Sequence, residues 1–266
     1  MKLTLRKSKL RQTIVAAVCG LLLALPAISR AQSFTINDTT QGSFLDANLP
    51  STNFGGAGTF AIAPATASKG EIDSVLMFNT AAVTSFNGLY GAGDWAITGL
   101  TLSLASNFLT QGEPVNNGIF NNINAGTFGI DWIGNNSWVG GSGGGMGGTG
   151  YPNNTSVSFD DISVLLGSGV DSLGTYTYTP PGNQSYLTYN LGLDANLVSG
   201  AAAGGPVSLY FYAPSGSQIS YLFNSQNFAS NHPELTLDVT PTPEPGTLAL
   251  LAAGFGGLFL ARRKRS

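Results

Sequence analysis

The sequence holds a single cysteine, Cys19, inside an apolar stretch near its start. Residues 32–240 therefore have none, which excludes disulfides and a thiol nucleophile there. There is one histidine, His232, and no H-E-x-x-H or C-x-x-C, so a histidine- or cysteine-based zinc site is excluded. Charge is scarce, at 9% of residues, and basic charge is nearly absent from the body. Of the 11 Lys and Arg residues, six fall between Lys2 and Arg30 and four between Arg262 and Arg265, leaving only Lys69 against the 13 acids of residues 32–240. A body near net charge −12 repels nucleic-acid phosphate and anionic lipid, which excludes nucleic-acid binding. No repeat of fixed period occurs, which argues against a solenoid or propeller.

What the chain does have begins at its two ends. Five bases precede Thr13, an apolar run spans Ile14 to Ile28, and Ser29-Arg30-Ala31 offers small residues for cleavage. Residues 1–31 read as a secretory signal peptide, with a mature start at Gln32. Val18 before Cys19 is a branched residue where a lipoprotein site needs a small one. At the other end, residues 241–247 form a proline spacer kept extended by Pro241, Pro243 and Pro245. Residues 248–261 form an uncharged apolar helix of roughly 20 Å, short for a hydrocarbon core of about 30 Å. Residues 262–266 add Arg262, Arg263, Lys264 and Arg265, a cluster that stays on the cytoplasmic side of a membrane.

The order Pro243-Glu244-Pro245, apolar run and basic cluster resembles the PEP-CTERM sorting signal of Gram-negative bacteria. The resemblance implies export across the inner membrane, transient anchoring by the tail, and processing near Pro-Glu-Pro by an exosortase. It also implies a setting of exopolysaccharide production and a final place at the cell surface or in the extracellular matrix.

Between the ends, residues 32–240 are rich in Gly, Asn, Ser and Thr, and apolar residues alternate over short runs. Strands are expected at 33–37, 59–63, 72–78, 95–106, 127–133, 174–179, 185–191, 207–212, 219–224 and 234–239. Residues 38–58 read as a turn-rich connection. Short helices are expected from Ser158 to Gly167 and near Asp194 to Val198. This pattern predicts an all-β domain, an antiparallel β-sandwich of jelly-roll type. The body also resembles the DNRLRE-type β-sandwich, related to polysaccharide-binding modules. The matching segments are Asp46 to Gly55, Ser74 to Asn79, Ile97 to Leu104 and Asn231 to Leu237. Met77 and Asn79 stand where that family usually has arginine and aspartate.

Candidate chemistry is sparse. Gly140-Gly141-Ser142-Gly143-Gly144 fits G-x-S-x-G, but a glycine run supplies no rigid nucleophile elbow. The same run lacks the Gly-Lys-Ser/Thr that ends a phosphate-binding loop. Asp160 and Asp161 read as helix N-terminal acids, and Glu71 with Asp73 as a solvated group beside Lys69. Ca²⁺ has its best oxygen set in Asp46, Asn48 and Asn53, and a second in Asp131, Asn135 and Asn136, although turn formation explains all of them as well. Glycan contact points to Trp132, Trp138 and Tyr151 around the glycine run, or to Tyr176, Tyr178, Tyr186 and Tyr189 on two strands, where core packing is the alternative. The sequence thus predicts a non-enzymatic exported protein associated with exopolysaccharide. A polysaccharide-active enzyme and a ligand-free structural scaffold are the alternatives.

Overall fold

The computed structural model describes residues 31–106, 124–142, 156–179 and 185–242. Gln32–Val239 form one compact unit. The signal peptide, the glycine run beyond Ser142, Tyr151, the Pro243-Glu244-Pro245 motif, the apolar tail and its basic cluster lie outside the described residues. Among the described residues no helix is long and apolar enough to cross a membrane.

The chain begins with β1 (Gln32–Ile36), β2 (Thr39–Asp46), β3 (Thr59–Ile62) and β4 (Ile72–Phe78). A 3-10 turn over Ala81–Ser85 leads into α1 (Phe86–Tyr90), and β5 (Trp95–Ala105) and β6 (Gly126–Ile133) follow. A second 3-10 turn, Phe159–Asp161, precedes α2 (Ile162–Leu166), β7 (Val170–Tyr178) and β8 (Tyr186–Asn190). The chain continues through α3 (Ala195–Ala202), β9 (Val207–Tyr212), β10 (Tyr221–Asn224) and β11 (Glu234–Pro241). One sheet has the order β1-β11-β5-β8 and the other β2-β4-β9-β6-β7, with β10 and β3 forming a separate ribbon. Pairings within both sheets are antiparallel, as between β1 and β11 and between β4 and β9.

The expected sandwich follows from side-chain alternation. In β11, Leu235, Leu237 and Val239 are buried, while Glu234, Thr236 and Asp238 are half-buried on the other face. Leu100, Leu102 and Leu104 of β5 join the same core, which also takes Leu76, Phe78, Leu209 and Phe211 from the five-stranded sheet. Aromatic packing fills the layer between. Tyr178 and Tyr221 stack at 3.8 Å between ring centroids, and Phe128 meets Tyr189 edge-on at 5.1 Å. Burial pushes the Tyr178 phenol up to about 12, against the lowering effect of a hydrogen bond with Ser106.

Three features depart from expectation. β2 occupies part of the stretch read as a turn-rich connection, and α1 with its preceding 3-10 turn follows β4. β4 is buried along its whole length, because its second face is also covered. β2 tolerates Gly42 because Phe60 lies across it: a Cβ there would sit 2.3 Å from Phe60 Cζ and 2.5 Å from Gln226 Oε1. Gly42→Ala should therefore destabilise the protein by about 1–3 kcal/mol through overpacking, measurable by thermal melting. An unchanged melting temperature would mean that Phe60 can move aside freely.

The helix after Ser158 was legible from its cap, and the one expected near Asp194 to Val198 is present and runs on to Ala202. Asp161 Oδ2 accepts hydrogen bonds from Ser158 N at 2.8 Å and Ser158 Oγ at 3.0 Å, fixing the turn before α2. Asp194 Oδ1 accepts from Asn196 N and Leu197 N, both at 2.8 Å, and caps α3.

Candidate functional site

The five-stranded sheet has an outer face that is not left to solvent. Leu45, Val75, Met77, Ile133 and Tyr210 project from it and pack against Trp138, Val157 and Leu165. The segment after β6 thus folds back over its own sheet, with α2 beside it. Trp138 is only 8% exposed. Its Nε1–H donates to Ser208 Oγ at 3.0 Å, and the Ser208 hydroxyl donates onward to Asn136 Oδ1 at 2.7 Å. Asn53 ties the same cover to the chain before β3, donating from Nδ2 to Gly140 O at 2.6 Å and Val157 O at 2.7 Å. Gly140 N donates to Gln41 Oε1 at 2.7 Å. The start of the glycine run is therefore ordered by two side chains from outside it.

Beneath this cover lies Asp73, 1% exposed. The sequence suggested a solvated carboxylate there; the structure corrects this, since β4 lies between β2 and β9 with both faces covered. Tyr210 donates its hydroxyl hydrogen to Asp73 Oδ2, and Asp73 Oδ1 has no hydrogen-bond partner among the described residues. Burial pushes the Asp73 carboxyl up to about 7; the Tyr210 bond pulls it down, and the charge of Glu71 raises it further. The Tyr210 phenol is raised in turn by burial and by the charge of Asp73. Asp131, opposite Tyr210 in the β6–β9 pairing, is also raised by burial, less the Ser172 hydrogen bond. The signal available in the sequence was one acid in an otherwise apolar and small strand, Ile-Asp-Ser-Val-Leu-Met-Phe.

Of the residues singled out for glycan contact around the glycine run, the structure describes Trp132 and Trp138, which lie on opposite faces of one sheet. Trp132 packs against the core between the sheets, whereas Trp138 belongs to the cluster on the opposite face of the five-stranded sheet. Tyr178 and Tyr189 are buried, and Tyr176 donates its hydroxyl hydrogen to Leu173 O at 2.7 Å. Beside Trp138 is an open groove of about 210 Å³, lined by Asn135, Ser137, Val139, Val164 and Leu165. That is below the range of about 300–1,000 Å³ usual for small-molecule sites.

The residues considered for Ca²⁺ are occupied with loop geometry. Asp46 Oδ1 accepts from Asn48 N at 2.8 Å, Asn48 Nδ2 donates to Lys69 O at 2.5 Å, and Asn53 Oδ1 accepts from Gly55 N at 3.2 Å. Burial raises the Asp46 carboxyl, against the Asn48 backbone bond and the Lys69 charge. In the second set, Asn135 Oδ1 accepts from Ser137 N at 3.0 Å and Asn136 Oδ1 serves Ser208. Among the described residues, no three His, Cys, Asp or Glu side chains gather where they could hold a metal ion.

No curated protein matches the chain. Residues 241–265 match the PEP-CTERM protein-sorting motif, beginning on the residue where β11 ends. That match implies an exported protein which exosortase sorts and processes at the membrane.

Proposed function

We propose that residues 32–240 are a non-catalytic module carried out of the cell by the tail and retained among extracellular polysaccharide. The observation that carries this reading is the sorting motif at 241–265, joined directly to the last strand of a sandwich. As the resemblance to such signals implies, their systems usually accompany exopolysaccharide production. Before processing, residues 248–261 and the basic cluster hold the chain in the inner membrane.

The strand order supports a jelly-roll reading of the sandwich. Chain-first β1 lies beside chain-last β11, β4 lies beside β9, and the β6–β7 pair is nested within. Two Greek keys wrap in this way when a long antiparallel ribbon folds on itself. β2 and the β3–β10 ribbon are additions to that plan, and the likeness to DNRLRE-type sandwiches is part of the same proposal.

Incubating the secreted protein with the producer's own polysaccharide, with and without Ca²⁺, tests the reading. Co-sedimentation with the polymer is the expected result. No retention under either condition would favour a scaffold without ligand, a reading that the burial of Trp138 also suits.

A further inference from the structure

The outer face of the four-stranded sheet is the opposite of the covered one. It carries hydroxyl, amide and carboxylate groups in paired rows. Ser33 Oγ donates to Asp238 Oδ1 at 2.5 Å, Thr35 and Thr236 share a hydrogen bond of 2.9 Å, and Thr101 Oγ1 bonds Asn190 Oδ1 at 3.1 Å. Side chains held by their neighbours across a sheet are pre-organised, so less rotamer entropy remains to be lost on binding.

Among the described residues, one aromatic ring lies on this face. Tyr186 is opposite Ala105 in the β5–β8 pairing, yet its hydroxyl donates to His232 O at 3.0 Å or Glu234 Oε1 at 3.2 Å, beyond β5 on the side of β11. Its ring must therefore pass over Ala105, which is 0% exposed although Tyr186 itself is 38% exposed. The ring is laid along the sheet with one side open. Burial and the Glu234 carboxylate push its phenol up to about 12, so it remains a donor at any ordinary pH.

The charge on this face has one sign. Glu234 and Asp238 share the outward side of β11, each with only one carboxylate oxygen engaged in a side-chain hydrogen bond. The only Lys or Arg in residues 32–240 is Lys69, which lies before β4 of the other sheet and interacts with Asp46. Four residues of strand separate the two carboxylates, roughly 14 Å at about 3.4 Å per residue. One sugar cannot bridge that distance, but an extended polymer can.

We propose that this face binds a polysaccharide whose sugars carry free amino groups. Tyr186 stacks on the CH face of one ring, the hydroxyl rows meet its hydroxyls, and Glu234 and Asp238 take the ammonium groups. The inference rests on the polysaccharide reading above and names the polymer's chemistry.

The test uses the secreted protein on immobilised, partially deacetylated N-acetylglucosamine polymer. The fully acetylated polymer and a polyuronate of similar length serve for comparison. Retention on the amino-sugar polymer should exceed both by tenfold or more. Asp238→Asn should reduce it about tenfold without moving the melting temperature, and Tyr186→Ala should reduce it as much with a modest fall in melting temperature as Ala105 is uncovered. Asp160→Asn, an equal change of charge at an exposed site by α2, should leave it unaltered. Equal weakening by Asp160→Asn would mean general attraction to an acidic protein and would overturn the proposal. Equal retention on the acetylated polymer, lost in Tyr186→Ala, would overturn the amino-group claim while leaving polysaccharide binding in place. No retention on any of the three polymers overturns the proposal, while the producer's own polymer decides the broader reading separately.

Discussion

Trp138→Ala should lower the stability of the secreted protein by about 3–5 kcal/mol, the cost of removing a large buried aromatic side chain. At about 2–4 °C per kcal/mol for a domain of this size, the melting temperature should fall by roughly 10 °C. The expectation rests on position. Trp138 sits between α2 and the outer face of the five-stranded sheet, in contact with the cluster of Leu45, Val75 and Tyr210. Trp138→Phe separates packing from hydrogen bonding. It keeps most of the ring and loses only the donation to Ser208, so about 1 kcal/mol is expected. Circular dichroism melts of the three proteins decide this. A change below 1 kcal/mol in Trp138→Ala would mean that the ring is not a structural anchor and would return it to the list of surface contacts.

The second large effect concerns pH. The Asp73 carboxyl has an unfolded value of 3.8 and stands at about 7 in the folded protein. Below pH 4 both states hold the proton and the protein has the full benefit of the neutral group. As pH rises from 4 to 7 the unfolded chain releases the proton and the folded chain retains it, so stability falls. The whole loss is about 4 kcal/mol, of which about 2–3 kcal/mol falls between pH 5 and pH 8. Asp73→Asn keeps the shape of the neutral acid and cannot ionise. Its stability should exceed that of the parent at pH 8 and lose this part of the slope, while the acid-side loss from ordinary carboxylates stays in both. Chemical denaturation at the two pH values is the measurement. Parallel pH profiles for the parent and Asp73→Asn would show that water reaches Asp73 in the folded state.

The parts of this fold that were legible in the sequence are those where one face is buried and the other is wet. β5 and β11 show it in Leu100, Leu102 and Leu104 and in Leu235, Leu237 and Val239, where strict alternation gives both the strand and its buried side. β2 was not legible because its sequence, Thr-Thr-Gln-Gly-Ser-Phe-Leu-Asp, carries a register shift between Thr39 and Gln41 and a glycine required by Phe60. Those demands are tertiary: they come from Phe60 of β3 and from the pairing with β4, not from spacing within β2 itself. The cap at Ser158 is local and was readable as such; a short helix was expected near Asp194, but its cap was seen only in the structure.

The candidate site was less legible, for the same reason. Trp132 and Trp138 are close in sequence, but β6 ends at Ile133 and the following segment turns back over the outer face, placing the rings on opposite sides of a sheet. Asp73 looked solvated because burial of both faces of β4 depends on a cover contributed by Trp138, Val157 and Leu165. Tyr186 was visible as an alternating aromatic. Its lie across Ala105 depends on the register between β5 and β8, which connects residues 81 apart in the chain. Local spacing carries the strands; non-local register carries the surfaces.

Mass spectrometry of the protein recovered outside the cell tests sorting and processing at the tail most directly. The expected mature chain begins at Gln32 and ends between Pro243 and Gly246, without the apolar run and the basic cluster. An extracellular form that still ends in Ser266 would contradict it.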